Sequence, residues 1–122
     1  MGIDVLIVDD LTFIKMVLRD LVEKAGFRVV GEASDGEEAL RLFHEKRPDV
    51  VLLDITMPKM DGLTALKKML EMDPNAKVIM CSALGQQRLI VQAIQLGAKD
   101  FIVKPFRPER VIGAIKRILD IQ

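Results

Sequence analysis

Val5-Leu6-Ile7-Val8-Asp9-Asp10 is a run of bulky apolar residues, without alternation, that stops at two acids. A short run with no polar positions suits a strand covered on both faces, as in a parallel sheet. Further runs of this kind are Val29-Val30, Val50-Val51-Leu52-Leu53, Val78-Ile79-Met80-Cys81 and Phe101-Ile102-Val103. Longer amphipathic segments separate them. Leu11 to Ala25 stops before Gly26, a residue suited to a left-handed helix end. Glu37 to Lys46 follows Ser34-Asp35-Gly36, a capping cluster, and stops short of Pro48. Gly62 to Met72 stops before Pro74, and Gln86 to Leu96 stops at Gly97. Pro108 to Ile121 opens on a proline, which a first helical turn tolerates, and carries Val111, Ala114, Ile115, Ile118 and Leu119 at helical spacing. Five strands alternating with five helices predict an α/β domain with a parallel sheet. Right-handed crossovers then put helices on both faces.

The length and composition agree with that reading. A chain of 122 residues fits one domain. Area scaling gives roughly 6,600 Å² folded against about 19,900 Å² unfolded, enough burial for one core without staples. Hydrophobic residues make up 50% and charged residues 30%, a globular balance. Lys+Arg and Asp+Glu each total 18, and a zero net charge argues against a duplex-DNA-binding module. The lone cysteine, Cys81, excludes a disulfide framework within the chain and reads as a buried, inert thiol. No apolar run approaches the ~18 residues of a membrane span. Met1-Gly2-Ile3-Asp4 has no basic flank or cleavage site, so no signal peptide and a cytoplasmic location are expected. Without a linker or repeat, residues 1–122 read as a single domain.

The ends of the strands carry the chemistry. The first run leads into Asp9-Asp10, the third into Asp54, the fourth into Ser82 and the fifth into Lys104. Ligands of open α/β sheets bind beyond the carboxyl ends of the strands. Loop polarity alone accounts for one or two such residues, not for three acids, a hydroxyl and a lysine at one edge. Clustered carboxylates repel, and a divalent cation relieves them; hard oxygen ligands suit Mg²⁺. A metal and a lysine also attract phosphoryl oxygens, and a carboxylate can itself accept a phosphoryl group. The single histidine, His44, gives no support to a histidine metal site or Ser/His catalysis and reads as a surface residue. Met16, Met69 and Met80 fall where core is expected, whereas Met57 and Met60 flank the Asp54 loop. Arg107, Arg110, Lys116 and Arg117 make a basic C-terminal segment, read as a solvated helix face.

The chain resembles the receiver domains of two-component response regulators over essentially its whole length. The resemblance rests on Val5-Leu6-Ile7-Val8-Asp9-Asp10, on Asp54-Ile55-Thr56-Met57-Pro58 with Asp61-Gly62, on Cys81-Ser82-Ala83, and on Lys104-Pro105-Phe106, in that order. It implies a flavodoxin-like fold, a five-stranded parallel sheet of order 2-1-3-4-5 flanked by five helices. It implies Asp54 as the phosphoacceptor, with Ser82 and Lys104 binding the phosphoryl group. Mg²⁺ would be held by the Asp10 and Asp54 side chains and the Thr56 backbone carbonyl, with Asp9 acting largely through water. Phe101 would be the aromatic switch, coupled to Ser82, and the lysine would precede a cis proline. Within the family, the ending just after the fifth helix resembles the short, stand-alone chemotaxis regulators. So do Cys81-Ser82-Ala83-Leu84-Gly85-Gln86-Gln87 and Gly97-Ala98-Lys99-Asp100-Phe101-Ile102-Val103-Lys104-Pro105-Phe106.

That resemblance implies a signalling switch rather than a conventional enzyme. A histidine kinase of the chemotaxis type would be the donor. A phosphatase would be a further partner, and the flagellar motor switch the target. A monomer without nucleic-acid or membrane partners is expected. The output face would include Gln87, Ile90, Val91, Lys99, Phe101 and Phe106. Phe101 lacks the hydroxyl that a tyrosine would bring there. Thr56 and Leu84 occupy the positions, two beyond Asp54 and Ser82, that tune dephosphorylation in the family; Leu84 cannot orient a water. A receiver of a DNA-binding regulator and a phosphorelay intermediate remain as alternatives. An aspartyl phosphohydrolase usually has a second acid two residues after its nucleophile, where this chain has Thr56.

Overall fold

In the computed structural model, which describes residues 2–122, strands and helices alternate along the chain. They are β1 (Asp4–Val8), α1 (Thr12–Lys24), β2 (Arg28–Ala33), α2 (Gly36–Lys46), β3 (Val50–Asp54), α3 (Gly62–Met72), β4 (Val78–Ser82), α4 (Gln87–Leu96), β5 (Asp100–Val103) and α5 (Pro108–Ile118). The sheet has the order β2-β1-β3-β4-β5 and every pairing is parallel. This is the flavodoxin-like arrangement that the family resemblance implies.

The missing alternation in the strand sequences now has its cause. Leu6, Val8, Val51, Leu53, Val78 and Met80 face one core, closed by Ala39 and Phe43 of α2, Ala65, Leu66 and Met69 of α3, and Ala93 of α4. Val5, Ile7, Val50, Leu52, Ile79 and Cys81 face the other, closed by Leu18 and Val22 of α1 and Val111, Ala114 and Ile115 of α5. Successive strand side chains point to opposite faces, so two covered faces require apolar residues at every position. Each fully buried Leu or Ile contributes about 1.5–3 kcal/mol. β2 lies at the sheet edge and its pairing with β1 shifts register between Val5 and Leu6.

Helix ends follow local chemistry. Asp35 caps α2 by accepting the Glu38 N–H at 2.9 Å, while Glu38 Oε1 accepts the Ser34 N–H at 2.8 Å. Asp61 caps α3 by accepting the Thr64 N–H at 2.8 Å. α5 ends at Ile118, three residues before the expected Ile121, where Asp120 turns left-handed at φ 55°. The Ile121 N–H then returns to the Lys116 carbonyl at 2.9 Å and closes the end.

Met16 departs from its expected place. It is 62% exposed, because the inward stripe of α1 runs through Lys15, Leu18 and Val22 instead. Met69 and Met80 are buried as expected, and His44 is exposed. Among the described residues, no helix is long and apolar enough to cross a membrane.

Candidate functional site

The carboxyl ends of β1, β3 and β4 and the residue after β5 converge at one edge of the sheet. Val8 pairs with Leu53 and Asp54 with Cys81, so the residues that follow β1 stand beside the end of β3, and Ser82 ends the next strand. Carboxylate oxygens of Asp9, Asp10 and Asp54 all lie within 4.8 Å of one another. Asp9 is fully buried, Asp54 is 5% exposed and Asp10 is open to solvent. One oxygen of Asp9 accepts the Leu11 N–H at 2.9 Å, which fixes the carboxylate at the start of α1.

Lys104 enters this cluster from beyond β5, through the backbone bond of its N–H to the Ser82 carbonyl at 2.8 Å. Its Nζ stands 2.8 Å from Asp9 Oδ2 and 3.5 Å from Asp54 Oδ2. The approach to Asp9 is an ion pair outside hydrogen-bonding angles, so that oxygen has no donor. The peptide bond between Lys104 and Pro105 is cis.

Electrostatics follow from this packing. Burial, then the neighbouring Asp9 charge, pushes the Asp54 carboxyl up to about 6, against the pull of Lys104. Burial works to lower the Lys104 ammonium, but its pairing with Asp9 and the charge of Asp54 outweigh it and hold the ammonium above its ordinary value. Burial raises the Cys81 thiol well out of the reactive range, in keeping with an inert role. The Ser82 hydroxyl oxygen is buried with no hydrogen-bond partner. A buried polar atom left without a partner costs about 1–3 kcal/mol, so it marks a place where a polar ligand atom belongs.

The loop after Asp54 is shaped by Gly62. A Cβ there would stand 2.1 Å from the Asp54 carbonyl oxygen and 2.7 Å from the Ile55 Cα. Only a glycine lets the start of α3 lie against the end of β3, and the Gly62 N–H bonds the Ile55 carbonyl at 2.7 Å. The loop between them carries Thr56 and Met57, of which Thr56 is exposed and Met57 buried.

Residues 5–116 match the response regulator receiver domain family. The chain belongs to that family. This receiver is 53% identical over 118 residues to the chemotaxis protein CheY of Thermotoga maritima, covering 97% of this chain and 98% of that protein. It is 53% identical over 116 residues to the chemotaxis protein CheY of Bacillus subtilis, covering 95% of this chain and 97% of that protein. A solved CheX-CheY-BeF3-Mg²⁺ complex from Borrelia burgdorferi superposes with a TM-score of 0.90 at 44% identity, covering 96% of this chain and 89% of that one. The receiver is therefore a CheY-like response regulator of two-component signalling, as the motifs imply.

The structure brings Asp9, Asp10, Asp54, Ser82 and Lys104 to one edge of the receiver. Phe101 lies apart from them, half-buried on β5 opposite Met80, with the Arg110 guanidinium 5.9 Å from its ring centre. Arg110 also donates to Asp100 and to the Phe101 carbonyl, and Arg117 pairs with Asp100. Two members of the basic segment read as solvated are thus held against β5. Sequence reading missed Lys15, buried on α1 and donating to Ser34 Oγ. Its signal was present: Lys15, Leu18 and Val22 share one helical stripe. It also missed Gln86, which joins the loops beyond β3 and β4. Nothing in the spacing of a polar loop residue announces such a bond.

Proposed function

We propose that this receiver is a phosphorylation-activated switch in chemotaxis signalling, with Asp54 as the phosphoacceptor. The observation that supports this best is the surroundings of Asp54: a buried carboxylate beside Asp9, facing Lys104, with an unpartnered Ser82 hydroxyl at the end of the next strand. Transfer from a phosphohistidine is an in-line displacement. An Asp54 oxygen bonds to phosphorus, the phosphorus–nitrogen bond breaks, and its electron pair stays on the imidazole. Lys104 offers its charge, and Ser82 its O–H, to the phosphoryl oxygens. Lys104 already lies between Asp9 and Asp54, so it need move little to meet a group on Asp54.

The three clustered carboxylates form a hard oxygen donor set that fits Mg²⁺. Asp10, Asp54 and the Thr56 carbonyl would hold the ion, with Asp9 acting largely through water. When bound, Mg²⁺ offsets the carboxylate charge and that of the phosphoryl oxygens.

The output is a shift in a two-state equilibrium of the face formed by α4, β5 and α5. An apolar groove on this face is lined by Leu84, Ile90, Val91, Ile94 and Phe101, and Leu84 is 82% exposed. Drawing the Ser82 hydroxyl onto the phosphoryl group would pull Phe101 inward and reshape that groove. We assign the donor as a chemotaxis-type histidine kinase and the target as the flagellar motor switch. The domain, residues 1–122, acts as a cytoplasmic monomer with a phosphatase as further partner. It assists its own phosphorylation and dephosphorylation without turning over a separate substrate.

The test is intact-mass measurement after incubation with Mg²⁺ and acetyl phosphate. One alkali-labile phosphoryl group is expected, absent in Asp54→Asn and in the presence of a chelator. Uptake by Asp54→Asn, or none by the parent from either acetyl phosphate or a phosphorylated histidine kinase, rejects the assignment.

A further inference from the structure

Gln86 occupies the N-cap position of α4, yet its side chain does not cap that helix. Its Oε1 accepts the Ala83 N–H at 2.7 Å, and its Nε2 donates to Thr56 Oγ1 at 2.9 Å. Thr56 lies two residues beyond Asp54, and Ala83 one residue beyond Ser82. The ends of β3 and β4 are neighbours in the sheet. One carboxamide therefore ties together the two loops that flank Asp54 and Ser82.

We propose that Gln86 is a positioning residue for phosphorylation of Asp54: a strap that holds the mouth of the site closed in the unphosphorylated receiver and is displaced when a phosphoryl group arrives. The inference rests on the assignment of Asp54 as phosphoacceptor. Ala83 N–H is the first main-chain donor beyond the Ser82 hydroxyl, and it is occupied by Gln86. A phosphoryl oxygen that uses this N–H has to replace the Gln86 oxygen, because one N–H serves one strong acceptor at a time. The strap and the phosphoryl group are then mutually exclusive. Release also frees the Gln86 side chain at the N-cap of α4, a helix whose opening turn carries no side-chain cap while the strap is in place. The site and the α4 groove thereby share one residue, since Gln86 and Ala83 both line that groove.

A strap present only before phosphorylation has a kinetic signature. Cutting it speeds the forward step and leaves hydrolysis, in which water attacks phosphorus and returns the Asp54 carboxylate and inorganic phosphate, unchanged. The forward gain should be about two- to tenfold, the span of a net hydrogen-bond contribution.

The experiment follows phosphorylation by acetyl phosphate and decay after donor removal, by quenched intact mass. It uses the full chain with Gln86→Ala and Gln86→Met, the second keeping side-chain length without a polar end. Urea midpoints and calorimetric Mg²⁺ affinities run alongside. The expected result is a faster forward rate in both variants, unchanged decay, and unchanged Mg²⁺ affinity. Adding Thr56→Val to Gln86→Ala should give no further forward gain, because both cut the same strap. A forward rate that stays level or falls in folded variants overturns the strap, as does an equal change in both directions. A parent that takes up no phosphoryl group from any donor overturns the phosphoacceptor assignment itself, and the strap with it.

Discussion

Lys104 is closer to Asp9 than to Asp54, with its Nζ 2.8 Å from Asp9 Oδ2 and 3.5 Å from Asp54 Oδ2. The ammonium is the positive charge within this acidic site, and it leans towards the fully buried acid rather than the assigned phosphoacceptor. That preference is physical: a buried carboxylate has little water to share its charge, so it has more to gain from a close cation. A divalent cation held by these carboxylates would then compete with the lysine for them.

Removing the lysine should therefore expose a competition. Lys104 is 19% exposed at its side chain, so its pairing is only partly screened. In metal-free buffer at pH 7, Lys104→Met should lose roughly 2 kcal/mol of stability, because Asp9 is left buried beside two other acids. Mg²⁺ should restore most of that loss and bind more tightly than to the parent. Urea unfolding with and without Mg²⁺, together with calorimetric titration, checks both. Equal Mg²⁺ affinity in the two proteins would show that Lys104 and the ion do not share the carboxylates.

Asp54 sets a pH dependence whose sign is fixed by the direction of its shift. Burial first, then Asp9, pushes its carboxyl up to about 6 in the metal-free protein. In the unfolded chain the proton leaves near pH 4. Between those values the folded state holds more protons, so this group's contribution to stability falls as pH rises through the window. Asp54→Asn escapes the penalty. It should exceed the parent by roughly 1–3 kcal/mol at pH 7.5 in chelator, at about 1.4 kcal/mol per pKa unit, with the margin closing towards pH 3.5. A margin that stays constant across that range, read from urea midpoints, would falsify the buried-carboxylate account.

Much of this was legible in the chain itself. The unalternating runs at Val5-Leu6-Ile7-Val8 and Val50-Val51-Leu52-Leu53 signal strands covered on both faces, and the two cores account for them. The acids, Ser82 and Lys104 could be grouped because a parallel sheet sends every strand end to one edge. What escaped the sequence depends on side-chain reach. Met16 sits one position away from the stripe of Lys15, Leu18 and Val22, and a lysine stem fills the inward place that a methionine would have taken. Arg110 and Arg117 read as a solvated face because their common partner, Asp100, belongs to another element. Gln86 and Thr56 are 30 residues apart, and their bond exists only once β3 and β4 are side by side.

Two glycines should respond in opposite directions. A Cβ at Gly62 would meet the Asp54 carbonyl oxygen at 2.1 Å, and backbone cannot yield as a flexible side chain does. Gly62→Ala should cost roughly 2–4 kcal/mol and disturb the loop that carries Thr56. Gly113 lies inside α5 with nothing within 4 Å of its Cβ position. Gly113→Ala should gain about 0.5–1 kcal/mol through helix propensity alone. Thermal melts of the two variants at one pH decide this, and a destabilised Gly113→Ala would mean that α5 needs the freedom of that glycine.

Arg110 should govern both the charge of Asp100 and the freedom of Phe101. Its guanidinium stands 3.2 and 3.3 Å from the two Asp100 oxygens, 2.6 Å from the Phe101 carbonyl and 5.9 Å from the Phe101 ring centre. Burial alone would raise the Asp100 carboxyl, but the bonds from Arg110, the Phe101 N–H and Arg117 outweigh it and hold the group below its usual range. Asp100 therefore stabilises the fold above pH 4, and that contribution is lost as pH falls through its depressed value. In Arg110→Ala the Asp100 carboxyl should titrate higher, and the Phe101 ring, relieved of its cationic neighbour, should sample more rotamers. Carbon-13 NMR titration of the carboxyl and side-chain relaxation of the ring read the two effects separately. A carboxyl that titrates as in the parent would assign its low value to the Phe101 N–H and Arg117. A ring freed without that shift would make cation–π contact, rather than the ion pair, the hold of α5 on the aromatic of β5.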